Sequence, residues 1–357
     1  MNDLPTVSEL RASKPHLTPV VNLTDADGQL RALYALQPKQ IEAYNLTPLA
    51  RPHGQDGPVH IGFGGAAGGG KSHLARVIAT SVAFSWPGSS TLIYRETKDD
   101  VKKNHVEPFK LEVPQYFEGQ KLWSFADMCL TWFNGSKTYF GYLQHADDVK
   151  RAQGPAFDCM IFEEATFYTW FMISWLTGNR LRSSVDGTEP FAFYPSNPGG
   201  RGMAWYKRLF IQRRFRGAER PEDYAFIQAK LADNIELEIR NPSYRRKLDT
   251  LPEPHRSWQR DGNFAAGAGS AFSNIDWKRH LVDPFPIPDY WLQFGSFDWG
   301  YRHPFSFGHY TVTEDGALFK IETVTGVRLL PHEQIQRIKS IVPVEKLHYV
   351  VSGHDAW

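Results

Sequence analysis

Residues 64–74, GGAAGGGKSHL, constrain this chain more than any other stretch. Gly65, Gly70, Lys71 and Ser72 match G-x-x-x-x-G-K-[ST]. A loop with no side chain at Gly68, Gly69 and Gly70 lets backbone N–H groups turn inward on a polyphosphate. Lys71 then reaches the outer phosphates, and the Ser72 hydroxyl ligates Mg²⁺. The flanks agree with this reading. Residues 58–63 (PVHIGF) read as a short buried strand, and residues 72–84 read as a helix whose N-terminus faces the phosphates. A nucleotide-binding loop for ATP and Mg²⁺ is expected.

Composition narrows the partners. Lys and Arg total 40 against 39 Asp and Glu, so any polyanion-binding surface must be a local patch. The two cysteines, Cys129 and Cys159, offer neither a disulfide framework nor a metal-ligand spacing, which suits a reducing cytosol. No signal-peptide pattern is visible, and no apolar run approaches the ~20 residues of a membrane span, so neither membrane insertion nor secretion is expected. The 357 residues suffice for two domains with separate cores. The abundant aromatics read as core filling.

Residues 91–95 (TLIYR) read as a second buried strand that leads into a helix starting near 96–100. Residues 128–133 and 138–143 read as a hairpin about Asn134-Gly135. Strands separated by helical stretches argue for a parallel sheet with crossover helices. Residues 157–162 (FDCMIF) form a further strand that delivers Glu163 and Glu164 at its end. Such a pair completes a phosphate-loop site: the first carboxylate holds the Mg²⁺ shell and the second polarises the attacking water. Arg151, on the polar turn 147–154, suits either a finger on the γ-phosphate of a neighbouring subunit or a plain surface position. A strand at 191–195 then runs into the turn Ser196-Asn197-Pro198-Gly199-Gly200. Residues 1–29 read as a loose leader; within 30–44, Pro38 stands near a helix start with Gln40 two residues on.

Phosphate loop, hydrophobic strand with Glu163-Glu164 and the Ser-Asn-Pro-Gly turn, in that order, resemble the large terminase subunit of tailed bacteriophages, and the Pro38-Lys39-Gln40 stretch fits as well. The resemblance covers roughly residues 30–357. It implies an ATPase domain that drives double-stranded DNA into a preformed capsid, followed by a nuclease domain that cuts the concatemer. It further implies that Gln40 reads adenine and that Ser196 and Asn197 sense the γ-phosphate and pass hydrolysis on to the DNA grip. The partners it implies are a portal protein, a small terminase subunit and other copies in a ring. The place it implies is the host cytoplasm, with a transient stay on the procapsid. The departures are Ala66 and Ala67, where many terminases carry an arginine, and Glu163, where aspartate is commoner.

The expected fold class is α/β: a phosphate-loop ATPase domain with a parallel sheet, then a truncated ribonuclease-H-like nuclease domain. The expected boundaries are 1–29 leader, 30–262 ATPase with a basic lid at about 201–262, 263–289 linker and 290–357 nuclease. In the lid, residues 213–216 (RRFR) and 244–247 (YRRK) suit a phosphate backbone or a solvated face. In the last domain a strand at 291–298 delivers Asp298, a hairpin covers 304–311 and 317–325, a helix covers 331–341, and a strand at 347–351 leads to Asp355. Asp298 and Asp355 are expected to hold a nuclease Mg²⁺ or Mn²⁺. The family's nuclease uses a third acid well beyond the second, whereas Ala356 and Trp357 alone follow Asp355 in this sequence. Either the chain is a fragment or the nuclease lacks a metal ligand, and a weakly active or inactive nuclease remnant is expected. The rivals are a helicase-like translocase and a non-hydrolysing, nucleotide-gated binding module.

Overall fold

The structure, a computed structural model, describes residues 4–113, 123–124, 126–151, 154–266 and 280–353, without the side chains of residues 150 and 151. Two compact units, Met1–Ile275 and Asp276–Trp357, make up the chain.

In the first unit the strands are β1 (Thr18–Thr24), β2 (Leu30–Leu36), β3 (His60–Gly65), β4 (Ser90–Arg95), β5 (Trp123–Ser124), β6 (Cys129–Thr131), β7 (Lys137–Tyr142), β8 (Cys159–Phe162), β9 (Phe191–Ser196) and β10 (Tyr224–Ala229). Eight of them form one sheet in the order β10-β3-β9-β8-β4-β7-β6-β5. Every pairing from β10 to β7 is parallel, and the β6 and β5 edge is antiparallel. The sheet is covered on both faces, so β8 and β9 are buried at every position and read as unbroken apolar runs. Alternation still sorts their side chains. Ile161 and Phe193 enter one core with Val77 and Ile78 of the helix Lys71–Ser85. Met160, Phe162 and Tyr194 enter the other with Met172 and Leu176 of the helix Trp170–Arg180. Each such side chain contributes roughly 1.5–3 kcal/mol by leaving water.

Topology makes the site. From β3 the chain crosses to β4, skipping two places that β9 and β8 later fill. Because these strands are parallel, the ends of β3, β4, β8 and β9 lie along one edge, the usual ligand-binding edge of an open α/β sheet. Register completes the alignment: Gly64 stands beside Ser196, and Tyr94 beside Phe162, so Arg95 follows at the level of Glu163.

Three expectations need correction. The leader is not loose: a capped helix, Val7–Ser13, precedes β1, and β1 pairs antiparallel with β2. Asp25 closes that hairpin by accepting from the amides of Asp27 and Gln29. Within 201–262, β10 is a strand of the central sheet beside β3. The turn at 147–154 contains a short helix, Asp148–Arg151. No helix among the described residues is long and apolar enough to cross a membrane.

The second unit holds β11 (Leu292–Asp298), β12 (Phe305–Val312), β13 (Leu318–Gly326), the helix Pro331–Ile341 and β14 (Tyr349–Ser352). β11, β12 and β13 make an antiparallel meander, and β14 returns parallel to β11 on its other side. Phe305, Phe307 and Val342 are its buried core, with Phe297, Val324 and Ile338 packed on them.

Candidate functional site

The loop leaving β3 is shaped by glycine. Gly70 has φ 73°, and a Cβ there would lie 2.5 Å from the Gln40 side-chain nitrogen. Gly68, at φ 75°, leaves no room for one beside Leu237. Gly65 is the last residue of β3, and Gly69 precedes Gly70, the residue that caps the helix Lys71–Ser85. Lys71 is buried and its Nζ donates to the Ala66 carbonyl at 2.9 Å. Burial pulls the Lys71 ammonium below its ordinary range, and the carboxylates of Glu164 and Glu163 partly offset that.

Glu163, buried at the end of β8, is the most heavily gripped side chain of the site. Arg95 Nη1 donates to its Oε2 at 2.9 Å, His105 Nε2 bonds the same oxygen, and the Ser72 hydroxyl is a further partner. Burial alone would raise this carboxyl, but His105, Arg95 and Ser72 outweigh it and hold the group well below the usual carboxylate range. An ionised carboxylate and a hydroxyl thus meet at the first turn of the helix, and oxygen donors of this kind suit Mg²⁺.

Glu164 follows in the left-handed region, at φ 53° and ψ 50°. For a non-glycine residue that conformation costs on the order of 1–3 kcal/mol. The twist sends Glu164 away from Glu163 and toward the turn after β9, where the Asn197 amide lies 3.4 Å from its Oε2. Burial raises the Glu164 carboxyl; Lys71 opposes the shift and Glu163 reinforces it, leaving the group above its ordinary value.

Ser196 is buried at the end of β9, and its Oγ accepts from the Thr166 amide at 3.1 Å. It also donates to the Asn197 carbonyl at 3.0 Å, so it binds the turn after Glu164 to the turn after β9. Asn197 Nδ2 donates to Gln259 Oε1 at 3.0 Å, and the Gln259 carbonyl accepts from the Ala67 amide at 2.7 Å. Gln40 lies against the loop as well. Its Nε2 donates to the Gly70 carbonyl at 2.9 Å and its Oε1 accepts from the Gln37 amide at 2.8 Å, leaving one N–H and one lone pair free. A cavity of about 290 Å³ opens here, lined by Gln37, Gln40, Gly70, His73, Asn234 and Glu236 among others.

Of the residues anticipated from sequence, the structure gathers Gln40, Gly65, Gly68, Gly69, Gly70, Lys71, Ser72, Glu163, Glu164, Ser196 and Asn197 along one sheet edge. Arg151 ends its short helix, and its side chain lies outside the description. Asp298 ends β11 in an exposed position, and Asp355 lies outside the described residues. Among the described residues no group of three or more His, Cys, Asp or Glu is placed to hold a metal. In the basic stretch, Arg213 is bound to the carbonyls of Tyr224 and Pro221 and Arg208 to Glu219, so both hold the fold together. Arg246 and Lys247 are exposed.

Sequence reasoning missed Arg95, His105, Thr166, Asn234 and Gln259. Arg95 alone carried a signal, as the last residue of a strand next to β8; the rest arrive from elements whose approach only the folded chain reveals.

No curated protein sequence matches this chain. Among solved structures, the large terminase of a thermophilic bacteriophage in complex with ATP-gamma-S aligns over 89% of this chain and 77% of its own, at 18% identity and a TM-score of 0.50. The ADP complex of the same protein aligns over 90% and 78%, at 18% identity and a TM-score of 0.49. The ATPase domain of the Thermus phage P74-26 large terminase aligns over 65% of this chain and 94% of its own, at 17% identity and a TM-score of 0.44. At such identity the likeness to the ATP-gamma-S complex is one of fold. The sequence pattern described as "Terminase large subunit, T4likevirus-type, N-terminal" matches residues 63–279, well over half of the chain, and the chain belongs to that terminase large subunit family.

Proposed function

We propose that this chain is the ATP-hydrolysing subunit of a motor that packages double-stranded DNA. The observation that carries the reading is the convergence of Lys71, Glu163 and Glu164 at the ends of β3 and β8, with the Asn197 amide reaching Glu164. The triphosphate lies along the amides of residues 66–70 and at the N-terminus of the helix Lys71–Ser85, where the helix dipole favours negative charge. Lys71 exchanges the Ala66 carbonyl for the outer phosphates. Ser72 and Glu163 would hold Mg²⁺, which when bound neutralises charge on the β- and γ-phosphate oxygens. Glu164 orients the attacking water and takes its proton. The cavity beside Gln40 takes the base, with the free N–H and lone pair of Gln40 matched to adenine N7 and N6. Ser196 and Asn197 relay the state of the γ-phosphate toward residues 255–259, because Asn197 joins Glu164 to Gln259. Arg151, on the short helix Asp148–Arg151, suits a finger on the site of a neighbouring copy as well as a plain surface position.

In the second unit, Asp298 with Asp355 would serve a metal-dependent nuclease. An antiparallel meander closed by a parallel strand also argues against a second motor domain of the helicase kind. Membership of the family supports a portal protein, a small terminase subunit and other copies in a ring as partners.

The test is ATP hydrolysis with and without linear double-stranded DNA. We expect DNA-stimulated turnover, lowered by roughly 10²-fold or more in Glu164→Gln, the range for removing a positioned acid–base group. Wild-type protein that binds ATP but never hydrolyses it, at any protein concentration, would sink the motor. Strand separation in the same preparation would favour a helicase.

A further inference from the structure

Glu163 is one methylene longer than the aspartate commoner at its place, and the fold answers that extra length with two anchors. Arg95 and His105 both act on Oε2 and neither on Oε1. Arg95 arrives in register from the neighbouring strand β4. His105 comes from farther away. It sits on a π-helical turn, Lys102–Val106, between the helical segments Lys98–Val101 and Glu107–Glu112. Such turns insert one residue into a helix and commonly re-aim a side chain at a functional site.

The fold itself does not require a polar residue there. His105 is fully buried, its Nδ1 has no hydrogen-bond partner, and its described side-chain bond is the one to Glu163. Val101, Val106 and Phe109 pack the same helical segment into the core without it. Burying an imidazole with one nitrogen unsatisfied costs free energy that an aliphatic side chain would not. The cost is offset only if the bond to Glu163 matters.

We propose that His105 is a positioning residue for the metal shell. With Arg95 it fixes Oε2, so that the longer Glu163 arm is held at one extension facing Ser72. The inference rests on the ATP-site reading above, and its test keeps the two apart.

The 357-residue chain is titrated with a fluorescent ATP analogue, first in EDTA and then at rising Mg²⁺. The readouts are the metal-free affinity, the Mg²⁺ midpoint of the metal-induced change, and the melting temperature. Metal-free affinity should be the same in wild type, His105→Leu and His105→Gln. The midpoint should rise roughly 10-fold or more in His105→Leu, the usual consequence of losing an outer-shell partner of a metal ligand. His105→Gln, whose Nε2 can still donate, should fall back toward wild type. A His105→Leu midpoint equal to wild type overturns the proposal. Should that variant fail to fold, Glu163→Asp decides. An arm too short for both anchor and metal must raise the midpoint, and an unchanged one overturns the proposal equally. Wild type that binds no analogue even in EDTA removes the ATP site itself, and this inference with it.

Discussion

Glu164 occupies a conformation its backbone resists, at φ 53°, and its carboxyl lies above the ordinary 4.5. Both features suit a general base, which works best when its pKa approaches the operating pH. The sign of the stability effect follows. Because the folded state raises this pKa, the fold favours the protonated carboxyl, and ionising it costs stability as the pH rises past the ordinary value. The uncharged Glu164→Gln should therefore melt at a higher temperature than wild type at neutral pH. That advantage should vanish as the pH falls to the ordinary carboxylate range, where both proteins carry a neutral group. Melting curves across pH check this; an advantage that persists or grows in acid would contradict a raised pKa. Glu163 behaves oppositely. Its depressed pKa gives a contribution present above 4.5 and lost as the pH falls through the folded-state value.

Among the elements, the turns carry the site, and their legibility differed for physical reasons. The phosphate loop was legible because glycine, lysine and serine spacing leaves few other uses. β8 and β9 were legible because strands buried on both faces are continuous apolar runs that end abruptly in polar residues. The β1–β2 hairpin was not anticipated, although Asp27-Gly28 marks its turn and Ala32, Tyr34 and Leu36 alternate inward. A half-buried hairpin dilutes its pattern with residues such as Asn22 and Arg31. β10 was hidden for another reason: basic neighbours such as Arg213 read as a charged surface, yet Arg213 bonds the Tyr224 and Pro221 carbonyls. Ser196 was read as part of a γ-phosphate sensor; what the structure shows is a mechanical duty, since it accepts from the buried Thr166 amide. Ser196→Ala should leave that amide without its acceptor and cost about 1–3 kcal/mol of stability. Denaturant unfolding measures it, and a negligible loss would mean that the amide finds another acceptor.

At the scale of the whole molecule, the chain carries two units with unlike sheets, and the two proposed metals belong to different units. In the first, Ser72 and Glu163 are preassembled by strand register and by the helix Lys71–Ser85. In the second, Asp298 ends β11 in an exposed position, and β14 runs parallel beside it with Ser352 opposite Phe297. Asp298 thus stands where β11 and β14 both end, and Asp355, outside the described residues, is proposed as its partner from the sequence alone. A carboxylate at an exposed strand end should bind a divalent ion weakly, the ion keeping several waters. Mn²⁺ titrated into nucleotide-free protein, followed by its electron paramagnetic resonance, should therefore report a weak site that Asp298→Asn removes and Glu163→Gln leaves intact. The reverse pattern would assign that ion to the nucleotide site, and equal binding in all three proteins would end the metal role of Asp298. ATP turnover in Asp298→Asn should match wild type, because Lys71, Ser72, Glu163, Glu164 and Asn197 all belong to the first unit.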